Sequence, residues 1–235
     1  MTHESVDETS KNVIYRALRR SIIMGHLQPG ERLSVEDIAR IYNTSVTPVR
    51  DALQMLSQEG LVTIRPRSGY FMARITLKQL RDMLELRRIL EMASLERAAL
   101  RITPEQLAEL RNVHAGYTGD DDVSYDRYTD ENRRFHYLLA QASGNHELAD
   151  MLGHLHDRLA RFMVLRRAGK SQEITHKRIL DALEMNDLET ARLALSDDID
   201  TSREAILDKV MQEEADSWHL VYRKKNLPRP VELTD

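Results

Sequence analysis

Helix breakers are scarce in this chain: 9 glycines and 6 prolines are spread over 235 residues, and Phe, Trp and Tyr together make up only 5%. Sheet-rich folds draw on aromatic and β-branched side chains and on frequent tight turns, so a mainly α protein is expected. The few prolines and glycines then act as punctuation, and apolar spacing between them becomes the guide to architecture. Cysteine is absent, which excludes disulfides, thiolate metal sites and cysteine nucleophiles. No apolar run approaches the roughly 18 residues of a membrane span, and the opening MTHESVDETS lacks the basic-then-apolar order of a signal peptide. A cytoplasmic protein with no membrane partner is expected. Apolar residues at 41% and charged residues at 31% are enough to build one or two cores, each in a domain of about 100 to 150 residues.

The formal charge of -4 is unevenly distributed. Thr9 to Arg74 holds ten Lys and Arg against five Asp and Glu, whereas the chain beyond Arg74 holds 24 against 30. A small basic module before a larger acidic one fits a polyanion-binding domain joined to a regulatory or enzymatic partner.

Within the basic part, Val13, Ile14, Ala17, Leu18 and Ile22 recur at helical spacing behind a Thr9 or Ser10 cap, and Gly25 is a natural stop. After the Pro29-Gly30 turn, Ser34 and Asp37 have the spacing of a capping box before a short second helix with Ile38, Ala39 and Ile41. Thr47-Pro48 places a capping hydroxyl before a proline, which predicts a third helix from Pro48 to about Glu59, ended by Gly60. Its apolar side is Val49, Ala52, Leu53 and Leu56, and its other side presents Thr47, Arg50 and Gln54. The β-prone runs 61–64 and 70–73 flank Arg65-Pro66-Arg67-Ser68-Gly69. Three helices and a basic-tipped hairpin make a winged helix-turn-helix over residues 9–74. Such a helix fits the major groove of duplex DNA, and Arg65 and Arg67 can reach phosphate or the minor groove.

Residues 13–74 resemble the DNA-binding domain of the GntR family of bacterial transcription regulators, through Pro29-Gly30-Glu31-Arg32-Leu33, Thr47-Pro48-Val49-Arg50-Asp51-Ala52-Leu53 and Glu59-Gly60-Leu61-Val62. The resemblance implies operator contacts from Ser45, Val46, Thr47, Arg50, Arg65, Arg67 and Gly69. Val46 stands where the family commonly has arginine, and Glu36 stands where some members use another. Both changes remove a donor fork, so the operator is expected to differ, with a methyl contact from Val46 to thymine.

From Thr76 the spacing predicts consecutive helices over about 77–100, 104–115, 123–143, 146–168, 172–186 and 188–213. This is an all-α bundle of six or seven helices over 77–213, followed by a partly disordered extension over 214–235. Several polar residues sit in apolar phase. Asn132 and His136 share the stripe of Tyr128, Phe135 and Leu139; His176 is in phase with Leu180 and Leu183; Asp198 is in phase with Leu195 and Ile206; Arg87 follows Leu80 and Leu84, with Glu91 a turn later. Polar groups facing a core must be paired or coordinated. Asn132, His136, His176 and Asp198 therefore form a candidate set for a divalent ion, with Zn²⁺ first and Ni²⁺ or Mn²⁺ as other first-row choices. Hydrogen-bonded core histidines are the other reading. His154 and His156, two apart, are expected at the surface or in a supporting place, and His114, His146 and His219 carry no pattern.

This second part resembles the all-helical ligand-binding FCD domain of the FadR branch of the same family, through Glu85-Leu86-Arg87, Glu91, Phe135-His136, Ser143-Gly144-Asn145 and His176 before Ile179-Leu180-Asp181-Ala182-Leu183. Metal-binding members have an Asp four residues before the first His and three His in all. Here Asn132 replaces that Asp and Asp198 replaces the last His, which is either an exchange of the acid between two ligands or a decayed site. The resemblance implies a homodimeric regulator, by default a repressor. A small carboxylate effector would bridge the metal and Arg87, since a guanidinium fork suits a planar acid. Two rivals are a helical metal-dependent enzyme with an appended basic domain, and a metal-free DNA-binding protein without effector. Against the enzyme stand the absence of Ser-His-Asp order, of a Gly-rich phosphate loop and of His-Glu-x-x-His.

Overall fold

A computed structural model of the protein describes residues 10–114, 119, 121–166 and 170–221. The basic module begins with α1 (Ser10–Ile23), whose apolar spacing buries Ile14, Leu18, Ile22 and Ile23. Gly25, at φ +78°, ends the helix: with His26 N–H bonded to Ser21 C=O at 2.9 Å, the last turn closes in the left-handed geometry that glycine adopts without strain. Then come β1 (Arg32–Leu33), α2 (Val35–Ile41), α3 (Val46–Gln58), β2 (Val62–Arg65) and β3 (Gly69–Met72). The expected cap at Ser34 is present, its hydroxyl accepting the Asp37 N–H at 3.2 Å.

Two sequence expectations are corrected here. The third helix starts at Val46 with Ser45 as its cap, not at Pro48 behind Thr47. Proline is tolerated at the third helical position as well as the first, because the N–H groups of the opening turn have no intrahelical acceptor. The hairpin also has a third strand: β1 pairs with β3, Arg32 opposite Phe71 and Leu33 opposite Tyr70, giving an antiparallel sheet of order β1-β3-β2. Two residues are too few to show alternation. The helices and sheet close over one core that includes Leu18, Leu33, Val49, Leu53, Leu56 and Met72.

The acidic module contains α4 (Leu77–Ala98), α5 (Pro104–Arg111), α6 (Asp122–Ala142), α7 (His146–Arg166), α8 (Lys170–Glu184) and α9 (Leu188–Val221). Both α4 and α5 open with full capping boxes, Thr76 with Gln79 and Thr103 with Gln106. The expected helix ends lie within a few residues of these, except that α9 continues to Val221, eight residues beyond the end expected at 213. Residues 222–235 of the expected extension lie outside those described. The pairs α6 with α7 and α8 with α9 pack side by side, and α4 lies against α6, α7 and α9. Thus α4 is the central post of the bundle, and polar side chains placed on its buried face are held between three neighbours. α1 also packs on α7, with Ile23 against Ala160 and Val164, so the two modules share an apolar seam. Among the described residues no helix is long and apolar enough to cross a membrane.

Candidate functional site: a reading surface and a buried histidine cluster

The start of α3 is built to face a ligand. Val49, Ala52, Leu53 and Leu56 are fully buried, so helical geometry turns Val46, Thr47 and Arg50 outward, and all three are exposed along with Ser45. The Ser45 side chain makes no capping bond, and the first turn carries no acidic residue. Its N–H groups, the helix dipole and a free hydroxyl together suit a phosphate. The connection from α2 is kept short by Asn43 at φ +47°, with Thr44 N–H bonded to Ala39 C=O at 2.9 Å. Glu36, Arg40 and Val46 line a shallow groove beside this turn. Arg40 pairs with Asp37 at 3.1 Å and is otherwise exposed, an additional basic group on the same side that the apolar pattern of α2 did not single out.

At the wing, Ser68 N–H bonds Arg65 C=O at 3.0 Å around Pro66 and Arg67, and Arg67 sits at φ +61°. This is a type II turn with arginine where glycine is usual. Gly69, half-buried at φ +103°, pairs with Arg65 at the root of the tip, while the Arg65 guanidinium lies 4.4 Å over the Phe71 ring. Arg65 is thereby held in place and Arg67 projects from a strained backbone. Left-handed geometry costs a non-glycine residue roughly 1 kcal/mol. Arg67→Gly is therefore expected to raise the stability of the protein by about 0.5–1 kcal/mol in urea denaturation while weakening DNA retention. A variant that gains stability with unchanged DNA affinity would remove Arg67 from the reading surface.

The second assembly lies in the bundle. Arg87 and Glu91 come from α4, Asn132 and His136 from α6, His156 from α7, His176 from α8 and Asp198 from α9, and none is more than 2% exposed. Ligand atoms of His136, His176 and Asp198 lie within 4.8 Å of one another, and so do those of Glu91, His136 and His156. Asn132 shares the buried face of α6 with His136, and its Oδ1 accepts no hydrogen bond.

Arg87 sits at the centre. Its Nε donates to Glu91 Oε1 at 2.6 Å, and its Nη2 lies 3.4 Å from both Asp198 Oδ2 and His136 Nε2. Burial alone would disfavour the guanidinium charge, but Glu91 and Asp198 outweigh it and raise the Arg87 pKa. Burial likewise works against ionised Glu91, yet Arg87 and then His136 hold its carboxyl well below the usual range. The sequence placed Arg87 at an effector; in this arrangement its Nε and Nη2 are engaged by the protein's own carboxylates, and Nη1 faces the Met163 sulfur at 3.8 Å.

Two supporting contacts complete the cluster. Of the two places expected for His156 the structure gives the supporting one: it is buried, its Nε2 lies 2.9 Å from Glu91 Oε1, and burial pushes its pKa down to about 4, against the upward pull of Glu91. His114 Nε2 lies 2.7 Å from His176 Nδ1, while its own Nδ1 is 3.3 Å from Glu131. Glu91 Oε2 lies 3.1 Å from His136 Nδ1, though poorly aligned for a hydrogen bond. Each histidine of the proposed ligand set thus has its Nδ1 turned to a polar neighbour, which leaves Nε2 to face inward; metal-binding histidines are oriented in this way. Phe135 stacks on His176 with ring centroids 3.7 Å apart and keeps the imidazole from turning.

A basic winged module with an outward-facing helix start, joined to a helical bundle holding a buried polar cluster, defines a DNA-binding transcription regulator with a C-terminal effector-binding domain. The chain belongs to the gntR family of bacterial regulatory proteins: residues 10–72 match that family's DNA-binding domain and residues 82–201 match the FCD domain. It is 30% identical over 217 residues to an HTH-type transcriptional regulator in an unstable DNA locus of Streptomyces ambofaciens, covering 90% of this chain and 89% of that one. It is also 31% identical over 167 residues to the HTH-type transcriptional repressor GlaR of Escherichia coli K12, covering 68% of this chain and 76% of the relative. Its fold is similar to that of E. coli McbR/YncC, with a TM-score of 0.66, 22% identity and coverage of 88% and 99% of the two chains. These relatives are transcription regulators rather than enzymes.

Proposed function

We propose that the chain is a homodimeric repressor whose two winged modules, within residues 9–74, grip a pseudo-palindromic operator. A small organic carboxylate, bound with a divalent ion in the bundle over residues 77–213, weakens that grip. Two-fold proteins meet two-fold sites with a matching half-site spacing, and relatives such as GlaR are named repressors. The observation that carries the sensor reading is the convergence of ligand atoms of His136, His176 and Asp198 within 4.8 Å of one another; on the same helix face as His136, the buried Asn132 Oδ1 accepts no hydrogen bond. Two imidazoles, one carboxylate and one amide oxygen would hold Zn²⁺, with Ni²⁺ and Mn²⁺ compatible with the same donors. When bound, the ion would supply a Lewis-acidic position for one carboxylate oxygen of the effector. Arg87 would take the other oxygen, exchanging its contact with Asp198 for one with the effector. The effector releases DNA only if it binds the non-DNA arrangement better.

Thermal denaturation with Zn²⁺ and citrate as probes tests this reading. A site filled at a hundredfold over its Kd adds about 2.7 kcal/mol, so the midpoint is expected to rise by several degrees in the wild type and not in His136→Ala or His176→Ala. Equal midpoints in all three proteins, with and without Zn²⁺, would overturn the metal and leave the DNA reading intact. Turnover of the added acid would favour an enzyme instead.

A further inference from the structure

The histidine cluster and the reading module meet on one helix. Toward the bundle, α7 presents Leu155, Leu159 and Met163, and His156 on the same turn bonds Glu91 inside the cluster. One residue later the chain serves the other module. Asp157, 5% exposed, accepts Arg133 Nε and Nη2 at 2.5 and 2.9 Å and lies 3.8 Å from Arg19 of α1. Ala160 and Val164, three and seven residues beyond Asp157, continue that side under Ile23. Helical spacing therefore gives α7 two working sides, one on the cluster and one on α1.

The same adjacency recurs on α6. Asn132 belongs to the cluster, and its neighbour Arg133 holds Asp157. Two residues earlier, Asp130 accepts Arg19 Nη1 at 2.9 Å. Arg19 in turn lies 3.4 Å from Glu59, the residue that closes α3, and Glu59 also accepts the Tyr15 hydroxyl. Carbon-for-hydrogen replacement at Gly60 would bring a Cβ to 3.0 Å from Arg158 Cγ, so the end of α3 rests on α7 as well. A cavity of about 410 Å³ runs beside these ion pairs, between α1 and the two bundle helices. It leaves room for the pairs to rearrange, whereas the packed seam at Ile23 does not.

We propose that Arg19, Arg133 and Asp157 are positioning residues that carry the state of the buried cluster to the recognition helix. A shift of His156 or Asn132 moves Asp157 or Arg133 with it, because neighbours on a helix move together. Arg19 then either keeps or loses its joint hold on Asp130, Asp157 and Glu59, which resets α3 relative to the bundle. Small helix shifts amplified at an ion-paired interface are a recurrent form of such transitions. The proposal rests on the cluster being the sensor, but not on a metal or on any particular effector.

A ligand-free thermodynamic cycle tests it. Operator duplexes are first selected from random-sequence DNA with the full-length wild-type protein, and Kd is measured without added metal or acid. His156→Gln and Asn132→Asp perturb the cluster; Arg19→Gln and the isosteric Asp157→Asn cut the connection, each used only after thermal denaturation shows it folded. Each cluster change is expected to alter operator Kd by about tenfold in the wild-type background, a typical coupling, and by less than about twofold in either cut background. Equal shifts in both backgrounds would show additivity and overturn the proposal. So would the absence of any shift in the wild-type background. Because no ligand enters the cycle, failure of Zn²⁺ to bind would overturn the metal reading without touching this result.

Discussion

Arg87→Met is expected to lower the stability of the protein by about 3–5 kcal/mol, the range found when one member of a buried ion pair is removed. The side chain is completely buried, and its guanidinium touches both Glu91 and Asp198. Without it, two carboxylates that are almost fully enclosed would lose the cation between them. Methionine fills most of the volume, so the loss measures charge rather than a cavity. The triple variant Arg87→Met, Glu91→Gln, Asp198→Asn removes charge from all three positions and is expected to recover most of the deficit, since buried ion networks are often replaceable as a set. Urea midpoints at constant m-value report both changes. A single variant within about 1 kcal/mol of the wild type would show that the carboxylates find other partners and that the network is not centred on Arg87.

The second large effect concerns DNA. Arg50 lies on the outward side of α3 and leaves the core when mutated as intact as before, because its helix is held by Val49, Leu53 and Leu56. Its guanidinium fork matches the two major-groove acceptors of guanine, a contact with about 1–3 kcal/mol of discrimination. Arg50→Ala is therefore expected to weaken binding to a selected operator by about 10- to 100-fold, with unchanged thermal stability. Arg178→Ala, which removes an exposed arginine of α8 paired with Asp197, serves as the control and should change affinity less than about twofold. Comparable losses in the two variants would place the reading surface elsewhere.

The parts of this fold that could be read from sequence are those written in short-range chemistry. Ser34 with Asp37 marks a helix start because capping is local, and the structure bears it out; the boxes of Thr76 with Gln79 and Thr103 with Gln106 are written in the same short-range chemistry but were not singled out. The start of α3 was displaced because Ser45 and Thr47 are both competent caps before Pro48, and the choice depends on where the tight turn at Asn43 lets the chain re-enter a helix. Within the cluster, Asn132, His136, His176, Asp198, Arg87 and Glu91 were visible as polar residues in apolar phase. His156 was not, although Leu152 four residues before it is fully buried and on the same side; pairing it with His154 drew attention to the wrong period. His114 stands just beyond α5, where no periodicity exists, and only the return of α8 brings His176 beside it. The link between Arg19 and Asp157 joins residues far apart in sequence on two modules, and nothing local encodes it.

Ser45 closes a different question. A helix whose cap residue leaves its side chain uncommitted is a helix left unfinished at one end. Phosphate oxygens of a bound duplex can supply the acceptors that the protein itself withholds there. In the proposed complex an operator phosphate would complete the capping of α3, so that the stiffness of the reading head would be shared between the protein and its DNA.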